Sequence, residues 1–282
     1  MPVWYSLVDL LPFEWAHYMF MKNALLAVLL VTPLFGMVGT MIVNNQMAFF
    51  ADSLGHSALA GIALGVILGL GNPLLSMLLF ALFMGAVISY IKGASVASTD
   101  TIISVVSSTA VALGIVILSR TGGFAKYSNY LIGDLLSITP DEIGLLAVLF
   151  VCIVVVWVFV FNKLLVVSIN ASLARSRGVN IGLIDKIFTG IVALIVTLSI
   201  QWVGLMIISS LLVLPAAAAR NIANNMRQYH FYAVLVALIS GVSGLLLSYY
   251  FETASGATIV LVCALFYLGM FLFRTSARNV TG

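Results

Sequence analysis

The sequence predicts an all-α polytopic membrane protein. It should hold about eight transmembrane helices plus one short or re-entrant helix, in a single domain over residues 1–282. Three observations predict this. Of the 282 residues, 63% are hydrophobic and only 7% are charged, against about 25% charged in an ordinary soluble domain. The mean hydropathy is +1.21, more apolar surface than a water-soluble fold of this size hides. Uncharged runs of spanning length also recur along the chain, with no linker dividing them. A soluble enzyme, a disordered protein and a nucleic-acid binder are excluded. The 12 Lys and Arg are too few and too scattered to neutralise a phosphate backbone.

The opening residues lack a basic segment before the apolar stretch, and no small-residue cleavage site follows, so they read as something other than a cleavable signal. Trp4, Tyr5, Trp15 and Tyr18 read as an aromatic belt at an interface. Residues 24–43 make a first span and residues 46–70 a second, interrupted only by Asp52 and His56. Residues 73–91, 101–119 and 143–162 follow, with Pro73 at a natural helix start after Gly71-Asn72. Residues 231–251 and 257–273 are two more. The stretch 187–219 is uncharged for 33 residues. As one helix it would be about 50 Å long, against a hydrocarbon core of about 30 Å. It must break in two. Trp202-Val203-Gly204 is the expected break, and Pro215, followed by four alanines, the expected end of the second piece.

Orientation follows from the basic residues. If the short segment also crosses, alternating spans put residues 92–100, 163–186, 220–230 and the tail after 273 on one side, with nine of the twelve Lys and Arg; if it does not cross, the N-terminal half inverts. The other side carries Asp9, Glu14, Asp134, Asp141, Glu142 and Glu252. The basic side is cytoplasmic, which makes this a multi-pass cell-membrane protein with its C-terminus inside. The longest cytoplasmic loop, 163–186, contains Leu173, Ala174, Arg175, Arg177 and Gly178. It is either a solvated basic loop that anchors the topology or a short helix, stopped at Gly178, that docks another protein. Cys152 and Cys263 lie inside apolar runs and read as small buried hydrophobes, and no zinc-type Cys/His spacing occurs.

The motifs argue against an enzyme. No GxxxxGK[ST] loop is present, so nucleotide hydrolysis would have to come from a partner chain. Gly241-Val242-Ser243-Gly244 has the form of an intramembrane serine protease motif, but no histidine lies downstream to take the serine proton. Gly133-Asp134 has Leu131 where an aspartyl protease motif needs glycine, and a second membrane-depth aspartate is lacking.

Asp52 and His56 are the informative pair. A carboxylate inside a span costs roughly 2.5–3.5 kcal/mol on insertion scales and usually faces a bundle interior or an ion path. Spacing i,i+4 puts both side chains on one helix face. An oxygen and an imidazole nitrogen there are either ligands for a divalent cation or a mutual hydrogen bond that fixes packing. The surrounding helix is rich in small residues on more than one face, which suits central packing among other helices.

At residues 47–61, Met-Ala-Phe-Phe-Ala-Asp-Ser-Leu-Gly-His-Ser-Ala-Leu-Ala-Gly, the chain resembles the membrane subunit of metal-ion (zinc, manganese, iron) ABC transporters. That family carries an acidic residue, His four positions on and then a small residue in its second span. Tyr130-Leu-Ile-Gly-Asp-Leu-Leu-Ser137 is similar to the family's Gly-Asp segment. Val203 to Arg220 is similar to its run ending in Pro-Ala and Arg, and Ser255-Gly256 with Thr258-Ile-Val260 to the start of its last span. The resemblance covers nearly the whole chain. Ala60 and Ala257 stand where the family often has proline, and Glu252 where Asp is common.

The resemblance implies a permease subunit of an ATP-driven importer of divalent transition metals, zinc first and manganese second. It implies a homodimer with the path at its interface, two cytoplasmic ATP-binding subunits and an extracytoplasmic metal-binding protein. Asp52 and His56 would be the metal ligands, and the region of Leu173, Ala174, Arg175, Arg177 and Gly178 the ATPase dock. No permanently bound cofactor is expected, only the transported Zn or Mn. The alternative is an ATP-independent divalent-metal channel or carrier.

Overall fold

In lipid a backbone has no water to bond, so an apolar segment of spanning length satisfies its N–H and C=O groups by coiling into a helix. The computed structural model describes residues 2–94, 97–121 and 133–281. Its helices, in order, are α1 (Pro2–Val8), α2 (Met19–Asn44), α3 (Ala48–Ile67), α4 (Pro73–Ala94), α5 (Thr99–Thr121), α6 (Pro140–Ile169), α7 (Ala171–Ser176), α8 (Ile181–Val203), α9 (Leu205–Ile222), α10 (Met226–Tyr250) and α11 (Ser255–Thr281). Among the described residues, eight helices (α2–α6, α8, α10 and α11) are long and apolar enough to cross a bilayer, and α9 holds a shorter apolar stretch, Ile208–Ile222. The expectation of eight spans plus one short helix holds.

The break in the long apolar stretch falls where expected. Gly204, between α8 and α9, has φ +89, a left-handed conformation that a side chain disfavours and glycine accepts. Pro215 does not end α9, which runs on to Ile222. Proline removes one helix hydrogen bond, but burial of the next turn outweighs that loss. Ala216 and Ala219 form a fully buried cluster with Tyr229 and Ala233. Trp15 is buried and Trp4 donates to the Lys22 carbonyl at 2.9 Å, while Tyr18 stays half exposed.

The chain packs as two compact units. The first comprises Met1–Val43, Gly133–Cys152 and Ser210–Gly282. Glycines set its helix spacing: a Cβ on Gly39 of α2 would lie 2.0 Å from the Leu212 carbonyl oxygen of α9, and one on Gly244 of α10 would lie 2.6 Å from Ile259 Cα of α11. Missing side chains let backbones approach, and close van der Waals contact is what holds helices together in lipid. At the start of α2, buried Lys22 pairs with Asp9, and Asn23 accepts from the Tyr5 hydroxyl at 2.9 Å and donates to Ile138 O at 3.4 Å. Burying that cation without a partner would be expensive.

The second unit comprises Asn44–Ile132 and Ile153–Ser209. Here α3 packs against α4, α5 and α8, as its small residues predict. A Cβ on Gly114 of α5 would lie 2.7 Å from Ala60 N of α3, so these two helices touch backbone to backbone. Trp157 of α6 packs on Phe188 of α8 with ring centroids 6.4 Å apart. The loop expected over 163–186 is shorter than predicted. α6 continues to Ile169 and α8 begins at Ile181, leaving residues 170–180 between them. Thirty residues of α6 make a helix of about 45 Å, longer than the hydrocarbon core of about 30 Å.

Candidate functional site

α3 begins at Ala48, so Asp52 sits about one turn in and His56 one turn further. Their side chains lie on one face with His56 Nε2 3.6 Å from Asp52 Oδ2. That separation is too long for a hydrogen bond. It is close to the spacing of two donors sharing one ion: ligands about 2.1 Å from a tetrahedral centre lie about 3.4 Å from each other. The side chains are 42% (Asp52) and 39% (His56) exposed, so the pair faces outward from its own chain rather than into a closed core. Among the described residues, no group of three or more His, Cys, Asp or Glu side chains gathers anywhere.

The pair opens into a cavity of about 530 Å³ between α3 and α5. From α3 come Phe49, Asp52, Ser53 and His56. From α5 come Ile103, Ser104, Ser107 and Ser108 in its first turns, then the apolar Val111, Ala112 and Ile115. The serines were missed from the sequence, although hydroxyls at i, i+3 and i+4 in an apolar helix were a signal that one face looks at something polar.

The second candidate region is α7. Asn170 caps its start, accepting from Ser172 N at 2.9 Å and Leu173 N at 3.1 Å. At its end Gly178 takes φ +72, its N–H bonds Arg175 O at 2.9 Å, and Val179 N–H bonds Ala174 O at 3.0 Å. This is the paired-bond Schellman stop that a glycine after a helix favours. The helix expected from the sequence forms. Leu173 is 43% exposed, and Arg175 and Arg177 are exposed, but Ala174 is fully buried. Ala174 therefore cannot be half of an exposed apolar anchor, because α7 rests against α8 and has a covered side.

The remaining motif residues are structural. Ser243 donates to the Ile239 carbonyl at 2.6 Å, and Gly241 and Gly244 serve close helix contacts with Thr32 and Ile259. Gly133 has φ +72 and Asp134 caps a 3₁₀ turn, Leu135–Ser137, by accepting from Leu136 N at 3.1 Å. Tyr130, Leu131 and Ile132 of that segment lie outside the described residues.

Known proteins match this arrangement over most of its length. The family profile "ABC 3 transport family" matches residues 17–274. The high-affinity zinc uptake system membrane protein ZnuB of Buchnera aphidicola subsp. Baizongia pistaciae is 32% identical over 245 residues, 86% of this chain and 94% of that one. The manganese import system permease protein ScaB of Streptococcus gordonii is 28% identical over 92% of this chain and 93% of its own. The solved structure of PsaBC from Streptococcus pneumoniae in complex with Fab superposes with a TM-score of 0.80 at 28% identity, covering 96% of this chain and 95% of that one. The chain belongs to the ABC 3 transport family and is a polytopic membrane permease subunit.

Proposed function

We propose that this chain is the permease of an ATP-driven importer of divalent transition metal ions, zinc first and manganese second. The observation that carries the reading is the Asp52–His56 pair: two donors on one face of a span, 3.6 Å apart, opening into a cavity. The printed names of ZnuB and ScaB, zinc uptake and manganese import, support the cargo class. One nitrogen and one oxygen without a thiolate suit zinc, and oxygen suits manganese as well.

One chain supplies two ligands, and zinc prefers four. A second copy across a two-fold axis would bring another Asp52 and His56 to complete the set. The half-exposed faces of both side chains support that arrangement. The chain acts as one permease domain with its C-terminus cytoplasmic. An extracytoplasmic protein delivers the metal, and cytoplasmic ATP-binding subunits engage the region of Leu173, Arg175, Arg177 and Gly178. Buried Ala174 supports α7 from beneath.

The test is metal uptake by vesicles holding the permease, its ATPase and its binding protein, with zinc and manganese in competition. Asp52→Asn keeps the shape and removes the charge, and His56→Ala removes the nitrogen. Both variants should assemble with the ATPase and lose uptake at low metal concentration. Wild-type rates from either assembled variant would refute the site. Uptake by vesicles with this chain alone would favour an ATP-independent channel or carrier instead.

A further inference from the structure

The cavity beside Asp52 and His56 is not uniform along its length. α3 and α5 run in the same direction, since Phe49 and Ser104 line one end of the cavity while Ala60 and Gly114 meet beyond His56. Toward the helix N-termini the α5 wall carries three hydroxyls, Ser104, Ser107 and Ser108, beside the apolar Ile103. Toward the C-termini it is Val111, Ala112 and Ile115, and the backbone contact of Gly114 with Ala60 follows.

Ser53, opposite this wall on α3, is 2% exposed, and among the described residues its hydroxyl has no hydrogen-bond partner. Nearby hydroxyls that do not serve the cavity are satisfied within their own helices. Ser57 donates to Leu54 O at 3.0 Å, and Thr109 donates to Val105 O at 2.8 Å. A buried hydroxyl without a partner costs free energy unless something else bonds it. Ser53 lines the same cavity as Asp52 of its own helix, and the facing α5 wall carries three more hydroxyls.

We infer that Ser53, Ser104, Ser107 and Ser108 hold the water shell of a partly hydrated divalent ion bound at Asp52 and His56, on the side toward the N-termini of α3 and α5. This rests on the proposed role of that pair. Serine hydroxyls are neutral and both donate and accept, so they orient metal-bound water without adding a charge that would trap the ion. With the C-terminus cytoplasmic and α9 crossing as a ninth, short span, the hydroxyl side faces inward and the apolar side outward, so the ion rehydrates in the direction of release. The wall is then also a selectivity element. Zinc is content with four direct ligands. Manganese favours six oxygen-rich positions and depends on retained waters.

The experiment uses the assembled transporter with its ATPase in lipid nanodiscs, titrated with Mn²⁺ and with Zn²⁺. The variants are S104A/S107A/S108A, Ser53→Ala, Thr109→Val as a control whose hydroxyl is already spent, and Asp52→Asn. Outer-shell hydrogen-bond partners of metal ligands typically matter by about 10–100-fold. Mn²⁺ affinity of the triple variant should therefore fall about tenfold or more, while Zn²⁺ affinity moves far less, and Thr109→Val should match wild type. Proton resonances of metal-bound water, read on Mn²⁺ by pulsed electron–nuclear double resonance, should be present in wild type and reduced in the triple variant. If the triple variant fails to assemble, Ser107→Ala and Ser108→Ala are read singly by the same measures. Equal loss of both metals, no loss of either, or a bound Mn²⁺ without water protons overturns the inference. Loss of both metals by Asp52→Asn beside an unchanged serine variant removes only the hydroxyl wall. Unchanged binding by Asp52→Asn removes the metal site, and the wall with it.

Discussion

Thr40 on α2 and His230 on α10 meet with Oγ1 2.9 Å from Nε2. The single hydroxyl hydrogen of Thr40 is already given to the Met37 carbonyl at 2.6 Å, an atom that only accepts. Thr40 therefore accepts from His230, whose proton toward α2 sits on Nε2. This histidine ties two helices together within the first unit, whereas His56 faces a cavity in the second.

Thr40→Val keeps the side-chain shape and removes the acceptor. It removes the hydrogen bond between α2 and α10, which should cost about 0.5–1.5 kcal/mol. Thermal unfolding of the purified permease in detergent should show a lower midpoint for Thr40→Val and near wild-type behaviour for Thr40→Ser. Equal midpoints for all three proteins would mean that the pair contributes nothing to stability.

Gly39→Ala should be far more damaging than alanine at most other glycines. Its Cβ would stand 2.0 Å from a backbone oxygen of α9, and neither backbone yields without moving a helix. Overpacking of this kind costs about 1–3 kcal/mol or more. Gly144 and Gly190 have nothing within 4 Å of a new Cβ, so alanine there should be neutral or mildly stabilising. The yield of monodisperse protein after extraction checks the contrast, and a Gly39→Ala yield equal to that of the two controls would contradict it.

Leu173→Asp should abolish ATPase association or stimulation while membrane insertion stays intact, since Leu173 is the exposed apolar side chain of α7. Asn170→Ala removes two capping bonds and should weaken the short helix by about 1 kcal/mol. Gly178→Ala strains a left-handed position, again by about 1 kcal/mol. Both should reduce coupling less than Leu173→Asp does. Co-purification of the ATPase with each variant measures this order, and undiminished association of Leu173→Asp places the contact elsewhere.

Ser243→Ala should leave assembly and uptake at wild-type levels. Its hydroxyl bonds its own helix at Ile239 O, and the flanking glycines serve packing. Labelling of the wild-type protein by a serine-reactive fluorophosphonate at Ser243 would contradict this reading.

The number of spans, the break at Gly204, the shared face of Asp52 and His56 and the helix at α7 were all legible in the sequence. Each depends on the chain within a turn or two: apolar run length against bilayer thickness, glycine at a left-handed position, i,i+4 spacing, and a polar residue and a glycine bracketing a short helix. The tertiary structure decided the rest. Pro215 stays inside α9 because Ala216 and Ala219 are buried in a cluster with Tyr229 and Ala233. Ala174 is covered because α7 lies on α8. The serines of α5 face Asp52 because Gly114 lets α5 touch the backbone of α3 at Ala60. These outcomes join residues far apart in the chain, and which helix face meets which neighbour is a property of packing that no local pattern encodes.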